Sequence, residues 1–178
     1  MKDNFHAICG AEFDDWNLAS KLDHLACLPE NQKISNVSKY LLWEDPILGH
    51  LQPQIQNLPV AQSYHDLGKS LLALSCKGDF LQRLCFPAQI ALVLALRCNL
   101  RAKLVLAYQQ QRKDTLTEIM VLDIPKIVEE IRKLWELHRQ MWLATYKPFG
   151  LEVIEIRYGG LLLRMESLAK RLAQYTDG

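Results

Sequence analysis

Residues 142–165, "WLATYKPFGLEVIEIRYGGLLLRM", concentrate charged side chains that could act on a ligand. The charges belong to Lys147, Glu152, Glu155, Arg157 and Arg164. On a helix, Glu152 and Glu155 would share one face, where paired carboxylates could serve as general acid and base. The same two acids also stand at the start of a predicted helix, whose positive end they would stabilise. We favour this structural interpretation, because it is sufficient to explain both residues.

The segment "WEDP" carries two further candidates, Trp43 and Asp45. Trp43 lies in an irregular segment, where its ring could stack on a sugar, whereas Trp135 and Trp142 stand at helical spacing that is typical of a core. Asp45 could bind a ligand, but an aspartate before a proline is also a common turn former. Both interpretations of this segment stay open.

Two adjacent glycines, Gly159 and Gly160, interrupt the predicted last helix. They cost that helix roughly 2 kcal/mol compared with alanine. Such a pair usually allows another backbone to come close, either that of the preceding helix or that of another domain. We therefore predict a partner or ligand surface made by these glycines and by five other residues: Trp43, Asp45, Lys147, Phe149 and Arg157.

The chain lacks the sequence patterns of common catalytic and metal sites. It has no phosphate-binding glycine loop, no zinc-protease motif and no serine-hydrolase motif. No glutamate is followed three residues later by a histidine, as carboxylate-bridged metal sites in helical bundles require. The five cysteines are odd in number and include no Cys-x-x-Cys pair, which favours reduced thiols in a cytoplasmic protein. We expect no metal and no cofactor.

The composition excludes two broad classes of partner. Lys and Arg total 21 against 20 for Asp and Glu, a net charge of +1, whereas a dedicated nucleic-acid binder needs clustered positive charge. No apolar run reaches the ~18 residues that span a bilayer. Apolar residues make up 49% of the chain, enough for a sizeable core. The composition therefore predicts a globular domain that binds neither nucleic acid nor membrane.

Hydrophobic periodicity predicts helices throughout the second part of the chain. One helix is expected over residues 60–75 and another over residues 80–112, with Asp79 as a candidate N-cap. Pro87 indicates that this second helix either begins near Phe86 or is kinked. Asp123 and Pro125 predict the start of a third long helix.

A turn at residues 148–150, "PFG", separates the third long helix from the last one, over residues 151–175. Apolar residues recur along this last helix at three- and four-residue spacing: Leu151, Ile154, Tyr158, Leu161, Met165, Leu168, Leu172 and Tyr175. Such a short connection makes the two helices antiparallel. No segment alternates as a strand would. We predict an all-α fold, an antiparallel bundle of four to five main helices over residues 59–178. Residues 1–58 should form an irregular N-terminal segment with one short helix, packed on the bundle within a single domain.

Two stretches resemble a known family: "KYLLWEDPILG" at residues 39–49 and "RQMWLATYKPFGLEVIEIRYGGLLLRMESLAKRL" at residues 139–172. They are similar to the C-terminal helical domain that follows the catalytic barrel in a bacterial subgroup of family 20 glycoside hydrolases, the β-N-acetylhexosaminidases. In that family an adjacent Asp-Glu pair on a (β/α)₈ barrel performs the chemistry. This chain contains no Asp-Glu dipeptide and is too short for a barrel.

The resemblance implies a non-catalytic accessory domain whose partner is a catalytic (β/α)₈ barrel of the same or a neighbouring chain. The domain would pack on that barrel or mediate a homodimer. One alternative is a stand-alone helical module that binds a ligand or a protein through Trp43, Asp45, Lys147 and Arg157. Another is a small enzyme that uses Glu152 or Glu155 as acid or base.

Overall fold

The computed structural model describes residues 2–28, 36–50, 52–55 and 57–178. Within these ranges the chain is helical and forms no strand, which confirms the all-α prediction. The short helices are α1 (Lys2–Cys9), α2 (Phe13–Asn17), α3 (Val37–Trp43), α4 (Gln52–Ile55) and α7 (Lys113–Glu118). The long helices are α5 (Val60–Ser75), α6 (Cys85–Gln109), α8 (Ile124–Thr145) and α9 (Leu151–Asp177).

Helix α6 lies at the centre of the bundle and packs against α3, α5 and α8. Its sequence is apolar on most faces, as expected for a helix with neighbours on several sides. Small residues on α6 let α5 come close, and on α5 the matching residue is Gly68. A Cβ at Gly68 would stand 2.8 Å from the Leu92 side chain and 3.2 Å from the Ala88 carbonyl oxygen. The α5–α6 contact therefore depends on the absence of a side chain at Gly68.

Helices α8 and α9 form the predicted antiparallel pair, joined by the turn at residues 148–150. Gly150 adopts a left-handed backbone with φ of 91°, a conformation that favours glycine. Its N–H donates to the Glu152 carboxylate at 2.9 Å, so Glu152 reaches back over the helix start. The Trp142 indole N–H donates to the Lys147 carbonyl at 3.0 Å and closes the other side of the turn.

Two predicted helix caps are wrong. Asp79 makes no capping hydrogen bond, because a 3₁₀ turn at Phe80–Leu84 precedes α6 and takes the place of a free helix start. Asp123 does not cap α8 either, since a π-helical turn at Ile119–Asp123 joins α7 to α8 without a break. The Asp123 carboxylate instead accepts a hydrogen bond from Lys103 at 3.0 Å. Pro87 falls in the first turn of α6, which begins at Cys85, so the prediction of a start near Phe86 is confirmed and that of a kinked helix from residue 80 is wrong.

The described part of the N-terminal segment holds four short helices, where the sequence predicted one. Their apolar residues are too few per helix to produce a clear period, so they depend on the bundle for burial. Leu25, Val37, Leu41 and Leu42 are buried in the same hydrophobic core as α5, α6 and α9. The division of the chain near residue 58 stays a prediction. No helix within the described ranges is long and apolar enough to cross a membrane.

Candidate partner surface

Two arginines of α6 hold the "WEDP" segment and the residues after it against the bundle, and Arg164 of α9 adds a third contact through Asp45. Arg97 of α6 donates to the carbonyls of Leu41, at 3.2 Å, and Glu44. Arg101, one turn further along α6, donates to the Ile47 carbonyl at 2.8 Å. The end of a helix leaves carbonyl groups without partners, and these guanidinium groups supply the missing donors. The segment is therefore fixed by the core helix of the bundle.

Asp45 is fully engaged by the chain's own groups. One carboxylate oxygen accepts from the backbone N–H of Ile47 at 2.8 Å and of Leu48 at 3.0 Å, which forms a turn. The other oxygen accepts from Arg164 of α9 at 2.5 Å. Partial burial alone would raise the pKa of Asp45, but the hydrogen bonds from Arg164 and these two amides outweigh it and lower the pKa to about 2. Asp45 joins the segment to α9 as a carboxylate.

Two buried groups lie beneath this segment, the Arg97 guanidinium and the Cys98 thiol. Arg97 is only 7% exposed, and burial lowers its pKa to about 10, so it stays charged at neutral pH. Burial raises the pKa of the neighbouring Cys98 thiol to about 12, which keeps the thiol protonated and unreactive. All five cysteines are free thiols. Of these only Cys98 is buried and Cys76 is exposed, so the thiols are less buried than their residue type predicts.

Part of the predicted surface comes together as a groove of about 250 Å³ between the "WEDP" segment and α9. Trp43, Asp45, Arg157 and Gly160 line it. The Arg157 guanidinium lies over the Trp43 ring, 6.0 Å from its centroid. Tyr158 also packs against Trp43 in an edge-to-face arrangement, with 5.2 Å between the ring centroids. The tryptophan is thus packed between protein side chains.

Neither Gly159 nor Gly160 contacts a neighbouring backbone within the described part of the chain. A Cβ added at either position would meet nothing within 4 Å. The preceding helix therefore does not explain the pair. The other explanation that the sequence offered, a neighbour from another domain, stays a prediction.

Lys147 and Phe149 lie apart from the groove, in the turn between α8 and α9. Phe149 is 89% exposed. It is continued along α9 by three apolar side chains that the sequence prediction missed: Val153, Ile156 and Leu163, exposed by 54%, 74% and 61%. Val153, Ile156, Gly160 and Leu163 recur at three- and four-residue spacing, which places these four on one side of the helix, and Phe149 lies in the turn just before it. We call Phe149, Val153, Ile156, Gly160 and Leu163 the outer face of α9.

The sequence of α9 contains two apolar series, and the prediction followed only one of them. The predicted series includes Tyr158, Leu161, Met165, Leu168 and Leu172, all of which the structure buries. The outer face is a separate series on the same helix, offset around its circumference. A helix that is apolar on two sides needs a neighbour on each side.

Within the described residues no group of three or more His, Cys, Asp or Glu side chains is placed to hold a metal ion.

The family model described as Glycoside Hydrolase 20C C-terminal domain matches residues 14–178. The match takes in both stretches that carry the resemblance and the described helices from α3 to α9. No curated protein matches the chain.

Proposed function

The chain belongs to the Glycoside Hydrolase 20C C-terminal domain family, and we propose that it packs on the catalytic domain of the same protein through the outer face of α9. Membership makes it an accessory domain of a family 20 glycoside hydrolase. The proposal adds the contact surface, a (β/α)₈ barrel as the catalytic partner, and a β-N-acetylhexosaminidase activity that belongs to that barrel. We also propose that the protein is cytoplasmic, which the five free thiols support.

The outer face of α9 is the observation that carries this proposal. Ile156 and Leu163 expose most of their surface although they lie on a helix whose opposite side is completely buried. Contiguous apolar side chains in water are a mark of an interaction site. Gly160, in the middle of the face, lets a neighbouring backbone approach the helix without meeting a side chain. A catalytic domain that packs here would bury Ile156 and Leu163, and its backbone would fill the space beside Gly160.

The competing functions are less well supported by the same side chains. Glu152 accepts a hydrogen bond from Gly150 and so stabilises the helix start, which is the structural alternative to an acid/base role. Asp45 and Trp43 are occupied by Arg164, Arg157 and neighbouring groups, which leaves a ligand little to bind in the groove. We therefore propose that the bond-breaking residues stand on the catalytic domain.

One feature of α9 favours homodimerisation as a second candidate function. Ile156 and Leu163 stand equally far on either side of the Gly159–Gly160 pair. If two α9 helices packed antiparallel about that point, Ile156 of one copy would face Leu163 of the other. Such a two-fold contact is isologous, since both copies contribute the same residues. The outer face is thus self-complementary as well as apolar.

The test separates the chain from the catalytic domain of the same protein and measures their affinity by titration calorimetry. Ile156→Arg should weaken binding by more than about tenfold, since it puts a charge where the interface is dry. Leu72→Arg is the control, because Leu72 is a partly exposed leucine on α5. Equal affinity for the two variants would place the interface elsewhere on the domain.

Two further measurements distinguish the remaining candidates. The isolated chain should not hydrolyse aryl N-acetylhexosaminides, and turnover that is lost in Glu152→Gln or Glu155→Gln would contradict a non-catalytic role. Sedimentation of the isolated chain tests the dimer. A dimer that Ile156→Arg dissociates would assign the outer face to a second copy.

A further inference from the structure

An apolar groove of about 540 Å³ runs between α6 and the C-terminal half of α9. Leu104, Val105 and Tyr108 form the wall on α6, and Leu168, Leu172 and Tyr175 form the wall on α9. The rings of Tyr108 and Tyr175 approach to 5.3 Å between centroids and close one end. This groove is separate from the outer face of α9, although it lies along the same helix.

The two walls have the form that receives a helix. On α6, Tyr108 stands four positions from Leu104 and three from Val105, and on α9 the apolar residues stand three or four positions apart, so each wall is one face of a helix. Ile47 also lines the groove, and no third helix lines it within the described residues. The stretch from Leu168 to Tyr175 extends for about 10 Å at the helical rise of ~1.5 Å per residue, which is the length of two turns. A short amphipathic helix would therefore match the groove in shape and polarity.

The charge of the groove defines the flanks of such a helix. Arg101 and Arg171 both line it, and none of the residues that line it is acidic. Neither arginine makes an ion pair with a carboxylate in the part of the chain that the structure describes. Because an uncompensated guanidinium group beside an apolar floor favours a carboxylate, the occupant should carry acidic side chains next to its apolar face.

We propose that the groove between α6 and α9 binds a two-turn amphipathic helix with acidic flanks, supplied by the catalytic domain. The source of the helix rests on the proposed function, because that is where a catalytic neighbour enters. The chemistry of the helix rests on the groove alone. The occupant would contact α9 beside the outer face, so one neighbouring domain could cover both surfaces.

The first experiment uses two synthetic helical peptides, each constrained by a side-chain lactam, with the same leucine face. One has glutamates on its flanks and the other has lysines. The glutamate peptide should bind the 178-residue chain at least about tenfold more tightly than the lysine peptide, by fluorescence anisotropy. Arg171→Glu should reverse that preference. Equal binding of both peptides, or binding of neither, would overturn the proposal.

A pair of variants on α6 tests the location. Val105→Arg places a charge in the floor of the groove and should abolish binding of the glutamate peptide. Leu106→Arg is the matched control, since Leu106 is the next residue, is 55% exposed and does not line the groove. Circular dichroism confirms that both variants are folded. Arg171→Glu changes an exposed residue and provides the same test if Val105→Arg unfolds.

The final arm asks whether the catalytic domain competes for the groove. Displacement of the glutamate peptide by the catalytic domain would support the proposal. If the catalytic domain binds the chain without displacing the peptide, the source of the helix is wrong while the proposed function stands. If the catalytic domain does not bind the chain at all, the proposed function fails and takes this source of the helix with it.

Discussion

The arginines that hold the "WEDP" segment differ in their hydrogen-bond acceptors: Arg97 donates to backbone carbonyls and Arg164 to the Asp45 carboxylate. Arg97 is buried, and its guanidinium donates to backbone carbonyls instead of a carboxylate. The sequence shows Arg97 as one polar residue in an apolar helix and does not reveal its acceptors, which come from α3, more than fifty positions away. Asp45 was predictable as a turn former, but its ion pair with Arg164 was not, since that contact joins distant parts of the chain.

Replacing Arg97 by methionine should lower the free energy of unfolding by about 3 kcal/mol. The substitution keeps most of the side-chain volume but leaves the buried Leu41 and Glu44 carbonyls without their donor, and each unsatisfied group costs ~1–3 kcal/mol. Urea unfolding followed by circular dichroism measures the change.

Arg132→Met is the control for this prediction, because Arg132 is exposed on α8. It should change the free energy of unfolding by no more than ~0.5 kcal/mol. If both variants fall within that limit, the hydrogen bonds of Arg97 do not hold the segment.

The ion pair of Asp45 predicts a loss of stability in acid. The folded pKa of Asp45 is about 2, below the value of ~3.9 in an unfolded chain. A lowered pKa contributes stability that is fully present above the unfolded pKa and is lost as the pH falls from about 4 towards 2. The difference in free energy of unfolding between the native chain and Asp45→Asn should therefore be constant above pH ~5 and shrink below pH ~4. A difference that is independent of pH would show that the carboxylate charge contributes nothing.

At the scale of helices, the period of the sequence was sufficient to predict α5, the α8–α9 pair and the buried series of α9. The period did not predict the surface residues of a helix that carries two apolar series, and it misplaced a helix start where one helix continues directly into the next. The outer face of α9 was missed because a single period was followed, and Asp123 was assigned as a cap because the π-helical turn before α8 leaves no mark in the sequence. Contacts in three dimensions decide both cases.

The glycines of α9 predict opposite effects for the same substitution. Gly160→Ala should stabilise the isolated chain by about 1 kcal/mol, because the position is helical and an added Cβ meets open space. It should nevertheless weaken binding to the catalytic domain, where that space is used. Thermal unfolding and calorimetry of the same variant measure the two effects.

Gly150→Ala is the comparison for Gly160→Ala. It should destabilise the chain by about 1–2 kcal/mol, since φ is 91° and the new Cβ would lie 3.3 Å from the Trp142 ring. Stabilisation at Gly150, or unchanged binding for Gly160→Ala, would contradict the roles given to the two residues.

At the scale of the whole molecule, the family and the all-α architecture were predictable, because both depend on long stretches of sequence. That residues 1–58 and 59–178 form a single domain stays a prediction, because it depends on packing between them. Arg97 and Arg164 connect the "WEDP" segment to two helices of the bundle, and a common core includes side chains from both parts. These contacts favour one cooperative domain.

Hydrogen exchange tests that cooperativity together with binding. When the catalytic domain is present at ~100 times its dissociation constant, it should stabilise the folded chain by about 2.7 kcal/mol. Amides that exchange by global unfolding then slow by about a hundredfold. In one cooperative domain this slowing reaches the most protected amides of α3 and α5 as well as those of α9, although α3 and α5 carry none of the proposed contacts. Mass spectrometry follows the peptides of this chain separately, and Ile156→Arg should remove the effect everywhere. If exchange slows only in residues 59–178 and not in residues 1–58, the two parts unfold independently.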